Sequence, residues 1–123
     1  MVAASVLIAE DEPHLVELLT FILKREGYEP AAVFDGEAAV DSLMREAPDV
    51  MILDLMLPKL DGYEVLKKVR SDARLKKLPV LMLTAKGQDR DRKVAEDLGV
   101  NAFITKPFSN REVVDCVAGL CGR

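Results

Sequence analysis

The sequence predicts an α/β fold, a doubly wound five-stranded parallel sheet in the strand order 2-1-3-4-5, with five helices. First, short apolar runs alternate with segments of helical periodicity, which implies parallel strands joined by right-handed crossovers. Second, the runs at 6–9, 50–53 and 80–83 are apolar throughout, as in central strands that helices cover on both faces. Third, the runs at 31–34 and 102–105 are shorter or mixed, so we place them at the edges.

The first strand, from Ser5 to Ala9, leads through the acidic loop Glu10-Asp11-Glu12 into the first helix. This helix is predicted from Pro13 to Glu26 because its apolar residues fall at helical spacing, namely Leu15, Leu18, Leu19 and Ile22. Pro13 suits a first helical turn, Asp11 is a candidate N-cap, and Gly27 is a typical left-handed stop.

A weaker strand, from Ala31 to Phe34, precedes the second helix. Asp35-Gly36 starts this helix, Pro48 ends it, and its inward side chains are predicted to be Ala39, Leu43 and Ala47. The third strand then runs from Val50 to Leu53 and is followed directly by Asp54. An acid in this place either caps a turn or serves a site at the carboxyl edge of the sheet.

The second half of the chain continues the alternation. Its elements are predicted to be a helix at Gly62 to Arg70, a strand at 80–83 that ends in Thr84-Ala85, a helix at Asp89 to Leu98, a strand at Ala102 to Thr105 and a last helix that reaches Leu120. The helix from Asp89 has three apolar residues before Gly99 stops it, so we expect it to be lightly anchored. Ser109 and Glu112 fit a capping box for the last helix.

Length and composition are those of an ordinary globular protein. The 123 residues are predicted to form one domain, 1–123, with 50% hydrophobic residues and a net charge of -4, which disfavours direct nucleic-acid binding. Cys116 and Cys121 have no partners at zinc spacing, so free thiols in a reducing compartment are expected. We see no signal peptide, membrane-length apolar run or attached output domain, and we expect a cytoplasmic protein without a membrane partner.

Acidic side chains follow the first and third strands, on either side of the predicted switch point of the sheet. Glu10 and Asp11 should line this crevice from one side and Asp54 from the other, because the carboxyl ends of parallel strands meet at one edge. Like carboxylates held together raise one another's pKa and cost stability. A hard cation offsets that cost, and an all-oxygen ligand set suits Mg²⁺ that keeps several waters and binds a substrate phosphate.

Thr84, after the fourth strand, and Lys106, after the fifth, bring a hydroxyl and an ammonium toward the same edge. Taken singly, Thr84 is better explained as a cap and Lys106 as a solvated base. Taken together with the acids, they favour a phosphate site. The set then predicts that Asp54 is a nucleophile, which takes a phosphoryl group in line while Mg²⁺, Thr84 and Lys106 hold its oxygens.

These residues resemble the receiver (CheY-like) domain of two-component response regulators, and the resemblance covers nearly the whole chain. Its motifs are the acidic metal loop Glu10-Asp11-Glu12-Pro13, the phosphoacceptor Asp54, the turn Pro58-Lys59-Leu60-Asp61-Gly62, the switch pair Thr84-Ala85 and the lysine motif Lys106-Pro107-Phe108. The implied fold is flavodoxin-like, and receiver proteins are a standard example of its strand order.

The resemblance implies a signalling phosphoacceptor rather than an enzyme, with Mg²⁺ as cofactor. Its direct metal ligands would be Asp11, Asp54 and the Met56 carbonyl, with Glu10 acting through water. Glu10 stands where Asp is more frequent in the family. The resemblance also implies a cis bond between Lys106 and Pro107.

The implied partners are a sensor histidine kinase or histidine phosphotransfer protein as donor and a downstream protein or output domain as target. A phosphorylation-dependent homodimer is a further option. Thr84 and Phe103 would be switch residues that change the face made by the fourth helix, fifth strand and fifth helix. Phe103, where relatives also use Tyr or His, would move from exposed to buried on phosphorylation, and a core residue without a switching role is the alternative.

Three other functions fit the sequence less well. A flavin-binding module on this fold would need a phosphate loop rich in Ser, Thr or Gly in place of Glu10-Asp11-Glu12. A phosphatase with an aspartyl nucleophile would need a second acid near Asp54 to protonate a leaving group. A phosphorylation-independent protein-binding module has little need for the whole set of site residues.

Overall fold

The computed structural model describes residues 3–85 and 89–122. Within them, five parallel strands form one sheet in the order β2-β1-β3-β4-β5, and the predicted fold class and strand order are confirmed. The elements in chain order are β1 (Ser5–Ala9), α1 (Pro13–Arg25), β2 (Glu29–Val33), α2 (Gly36–Arg45), β3 (Val50–Leu53), α3 (Gly62–Ser71), β4 (Val80–Thr84), α4 (Asp89–Asp97), β5 (Ala102–Thr105) and α5 (Asn110–Leu120). None of these helices is long and apolar enough to span a bilayer.

Two apolar cores lie on opposite faces of the sheet. Helices α2, α3 and α4 contribute to one core, and α1 and α5 contribute to the other. Leu53 and Met82, which are paired in neighbouring strands, belong to the first core, whereas Ile52 and Leu81 belong to the second. Strands β3 and β4 are buried along their whole length, which explains why their sequences do not alternate. The sheet is therefore fixed from both sides.

The edge strand β2 begins two residues earlier than predicted. The expected strand at 31–34 is wrong at both ends, because β2 spans Glu29–Val33 and the Phe34 side chain is exposed. Each residue of β2 pairs with one of β1, starting with Glu29 opposite Ser5. Pro30 is tolerated since an edge strand leaves part of its backbone unpaired. The strand start was missed in the sequence because it consists of a charged residue followed by proline, which are both rare in strands.

Two predicted helix details are also wrong. Glu12, and not Asp11, caps α1, because the Glu12 carboxylate accepts two backbone N–H groups of the first turn at 3.1 and 2.8 Å. Helix α2 ends at Arg45, and Ala47 lies beyond it with an exposed side chain rather than facing inward.

The other predicted boundary signals are confirmed. Gly27 and Gly99 follow α1 and α4 with φ angles of 90° and 92°, in the left-handed region that favours glycine. Ser109 forms a capping box for α5. Helix α4 buries one side chain, that of Ala95, as expected from its narrow apolar stripe. Cys116 and Cys121 are not joined in a disulfide.

Arg70, near the end of α3, fastens the amino-terminal ends of β4 and β5. Its guanidinium donates to the carbonyl oxygens of Leu78 at 2.8 Å, Lys76 at 3.2 Å and Gly99 at 2.9 Å. It also donates to the side-chain oxygen of Asn101 at 2.8 Å, and that oxygen accepts the first N–H group of β4. One side chain thus holds the α3–β4 loop and the α4–β5 loop together.

Replacing Arg70 by Lys should lower the free energy of unfolding by about 1–3 kcal/mol, because an ammonium cannot reproduce the planar set of donors. Urea denaturation measures this change. Arg74→Lys is the matched control, since the Arg74 side chain is 62% exposed, and it should change stability by less than about 0.5 kcal/mol. Equal stability of both variants would contradict the fastening role of Arg70.

Candidate functional site

The carboxyl ends of β1, β3, β4 and β5 lie along one edge of the sheet, and each carries a polar residue of the candidate site at its last position or directly after it. Backbone hydrogen bonds fix the segments that leave these strands. The Asp54 N–H group donates to the Ala9 carbonyl at 2.9 Å, and the Lys106 N–H group donates to the Thr84 carbonyl at 2.8 Å. The side chains therefore emerge from backbone that is held in place by the sheet.

Glu10 is a buried carboxylate at the end of β1, with 2% of its surface exposed. One of its oxygens, Oε2, accepts the N–H group of Glu12 at 3.1 Å. The other, Oε1, lies 3.1 Å from the Lys106 ammonium. Sequence reasoning placed both residues at this edge but missed their ion pair, because it considered Lys106 as a phosphate ligand or a solvated base and not as a partner of Glu10.

Three acids come together at this edge, as the topology predicted. Carboxylate oxygens of Glu10, Asp11 and Asp54 all lie within 4.8 Å of one another. Asp54 is buried, with 5% exposure, whereas Asp11 is exposed and opens the group to solvent. The cluster is thus buried on one side and accessible on the other.

Burial raises the pKa of the Glu10 carboxyl, and the negative charge of Asp54 raises it further. The Glu12 N–H group and the Lys106 ammonium act in the opposite direction but do not cancel the rise. Holding Glu10 ionised therefore costs free energy, and a bound cation would recover that cost.

The donor set fits a hard cation. The three side chains that converge are all carboxylates, and Mg²⁺ binds through one or two such groups while keeping several waters. The Met56 N–H group donates to Asp54 Oδ1 at 3.3 Å, so the Met56 backbone adjoins the cluster. The roles of the Met56 carbonyl and of the separate acids as ligands stay predictions.

Thr84 and Lys106 stand on the neighbouring strands of the same edge. Thr84 ends β4, is completely buried, and pairs in register with Thr105 of β5. The Lys106 side chain is 25% exposed and reaches across to Glu10. The Lys106–Pro107 bond is cis, as the resemblance implied.

Phe103 does not occupy the exposed position that the sequence analysis expected before phosphorylation. Its side chain is 8% exposed and belongs to the core beneath α4. The Arg92 guanidinium lies 4.8 Å from the ring centroid and donates to the Phe103 carbonyl at 3.3 Å. Sequence reasoning missed Arg92 because it considered only the apolar residues of this helix.

Sequence comparison shows which class of protein this fold and site define. A family model for the response regulator receiver domain matches residues 6–118, which is most of the chain. The protein therefore belongs to the response regulator receiver domain family. Members of this family are signalling domains of two-component systems, and their phosphorylation is typical.

Solved receiver domains are similar over nearly the whole chain. One is a protein of Chloroflexus aurantiacus assigned as a response regulator, 34% identical with a TM-score of 0.94, covering 99% of this chain and 100% of its own. Another, from a sensor histidine kinase of Pseudomonas aeruginosa, is 30% identical with a TM-score of 0.91 and coverage of 99% and 100%, and it holds magnesium in its active-site cleft. A third, a phosphorylated cyanobacterial phytochrome response regulator, is 32% identical with a TM-score of 0.84 and coverage of 97% and 91%.

Replacing Asp54 by Asn should stabilise the protein by about 1 kcal/mol when divalent cations are absent, because it removes a negative charge beside buried Glu10. The Glu10 pKa is raised above its ordinary value of 4.5, so protonated Glu10 favours the folded state at low pH. That contribution is lost as the pH rises through the folded pKa. The gain from Asp54→Asn should therefore be largest at neutral pH and fade as the pH falls through the raised pKa of Glu10 toward 4.5.

Urea denaturation in the presence of a chelator, repeated across this pH range, measures the effect. Asp41→Asn is the matched control, because Asp41 is exposed on α2, and it should leave stability unchanged. A variant at Asp54 that is no more stable than the wild type at neutral pH would show that the carboxylates are not under mutual repulsion.

Proposed function

We propose that the protein takes a phosphoryl group onto Asp54 from a sensor histidine kinase or a histidine phosphotransfer protein, in a Mg²⁺-dependent reaction. The observation that carries this proposal is the cluster of carboxylates at the sheet edge, where the Lys106 ammonium lies 3.1 Å from Glu10. Membership of the receiver family supports it. The magnesium ion in the cleft of the Pseudomonas aeruginosa receiver domain supports the choice of metal.

Asp54 supplies the nucleophile. One of its carboxylate oxygens forms the new O–P bond while the P–N bond of the donor phosphohistidine breaks, and the leaving imidazole takes the electron pair. When bound, Mg²⁺ supplies positive charge to the phosphoryl oxygens and the crowded carboxylates. Asp11, Asp54 and the Met56 carbonyl are its proposed direct ligands, and Glu10 acts through water.

Lys106 changes partner in this proposal. In the free protein its ammonium neutralises Glu10, and its long stem allows it to turn toward a phosphoryl oxygen once a cation takes over that task. Thr84, buried at the end of β4, donates its hydroxyl to another phosphoryl oxygen. The two residues hold the product in place, so the protein is a signalling phosphoacceptor that modifies itself rather than an enzyme with a released product.

The signal leaves through the face made by α4, β5 and α5. Thr84 precedes α4 and Lys106 follows β5, so a phosphoryl group held by both residues pulls on two sides of this face. Because Phe103 is already buried, we expect α4 rather than the Phe103 ring to move. Displacement of α4 costs little free energy, since α4 buries one side chain. The target is a downstream protein, an output domain or a second copy of the chain. We place this domain, residues 1–123, in the cytoplasm and without nucleic-acid contacts of its own.

Incubation with acetyl phosphate and Mg²⁺ should add one phosphoryl group to the wild-type protein and none to Asp54→Ala. Intact-mass spectrometry measures the modification. Lys106→Met should react about a hundredfold more slowly, because it loses a charge that stabilises the transition state. Asp41→Ala, which changes an exposed acid on α2, is the control and should react like the wild type.

Omission of Mg²⁺ should abolish the modification. If Asp54→Ala still gains a phosphoryl group to the wild-type extent, Asp54 is not the acceptor. A wild-type protein that is never modified would favour a phosphorylation-independent protein-binding module instead.

A further inference from the structure

Helix α4 is attached to the rest of the protein by little apolar contact. It has nine residues, and Ala95 alone among its side chains is buried. Burying one alanine stabilises a helix far less than burying the leucine and valine side chains that anchor α3, which include Val65, Leu66 and Val69. Polar contacts therefore contribute a large share of the free energy that keeps α4 in place.

One such contact comes from Tyr63, in the first turn of α3. Its hydroxyl lies 3.2 Å from the carbonyl oxygen of Asp91 and 3.3 Å from Asp91 Oδ1, both in the first turn of α4. Burial raises the pKa of the Tyr63 phenol, and the charge of Asp91 adds to the rise, so the hydroxyl keeps its proton and donates it to these acceptors.

Tyr63 also lies beside the segment that follows Asp54. A cleft of about 230 Å³ is lined by Leu55, Met56, Leu57, Asp61, Tyr63 and Asp91. The Tyr63–Asp91 hydrogen bond therefore connects two walls of a cleft between the phosphoacceptor segment and α4. Movement of the first turn of α4 would stretch this bond, and the cleft leaves room for that movement.

We propose that the Tyr63–Asp91 hydrogen bond is a latch, which holds α4 in its position in the unphosphorylated protein and makes Tyr63 a positioning residue for switching. This inference rests on the proposed function, in which a phosphoryl group on Asp54 displaces α4. A contact that is lost on displacement must weaken the binding of a phosphoryl mimic at Asp54, because coupling between two sites is reciprocal. Breaking the latch should tighten that binding.

Tyr63→Phe tests the latch, since it removes the hydroxyl and leaves the ring. Tyr28→Phe is the matched control, because it makes the same change at the other tyrosine of the chain, in the core on the opposite face of the sheet. The first measurement is amide hydrogen exchange of residues 89–97 in the free protein. Exchange should accelerate roughly two- to tenfold in Tyr63→Phe, as expected for one lost hydrogen bond, and should not change in Tyr28→Phe.

The second measurement is the Kd of beryllofluoride with Mg²⁺, which mimics the phosphoryl group. The Kd should fall roughly two- to tenfold in Tyr63→Phe and stay at the wild-type value in Tyr28→Phe. A residue that only stabilised the fold would leave the affinity unchanged or weaken it.

Unchanged exchange of α4 in Tyr63→Phe would overturn the latch, and this result does not depend on phosphorylation. Faster exchange with an unchanged or weaker affinity would overturn the coupling of the latch to Asp54. A wild-type protein that binds no beryllofluoride would overturn the coupling together with the proposed function, while the exchange rates would still report whether Tyr63 holds α4.

Discussion

The crowding of carboxylates at the carboxyl edge of the sheet is the constraint on which the rest of the site depends. Strands β1 and β3 are neighbours, so the acids that follow them have to meet, and burial of Glu10 and Asp54 prevents water from screening their repulsion. The Lys106 ammonium at 3.1 Å from Glu10 offsets part of the cost in the free protein. Such a site favours binding of a cation, and a bound cation would in turn attract an anionic group.

The proposed function also requires a route from the site to the surface. Under the proposed function, Lys106 exchanges Glu10 for a phosphoryl oxygen, so modification of Asp54 would redistribute contacts at the end of β5. Helix α4 lies over β5 and is held there by few groups, among them Arg92 against Phe103 and Tyr63 against Asp91. Because α4 buries one side chain while the rest of the core is well packed, α4 is the helix whose displacement costs the least packing free energy.

Sequence alone predicted the sheet order and the convergence of Glu10, Asp11 and Asp54, because both follow from hydrophobic pattern and topology. It placed the start of β2 wrongly, since backbone pairing with β1 can include a charged residue and a proline at an edge. It named Asp11 as a candidate helix cap, whereas local geometry gives that role to the adjacent Glu12. The buried position of Phe103 and the contacts of Arg92 and Tyr63 depend on side-chain reach between distant segments, which periodicity does not encode.

The most direct test of this account is the stability of the protein as a function of Mg²⁺ concentration, measured by thermal unfolding at neutral pH. Mg²⁺ that binds the folded cluster and not the unfolded chain should raise the melting temperature progressively, with about 2.7 kcal/mol gained at a hundred times its Kd. In Asp54→Asn the rise should be much smaller, because one ligand has lost its charge. A melting temperature that does not respond to Mg²⁺, or that responds equally in both proteins, would contradict the claim that the crowded carboxylates form a cation site.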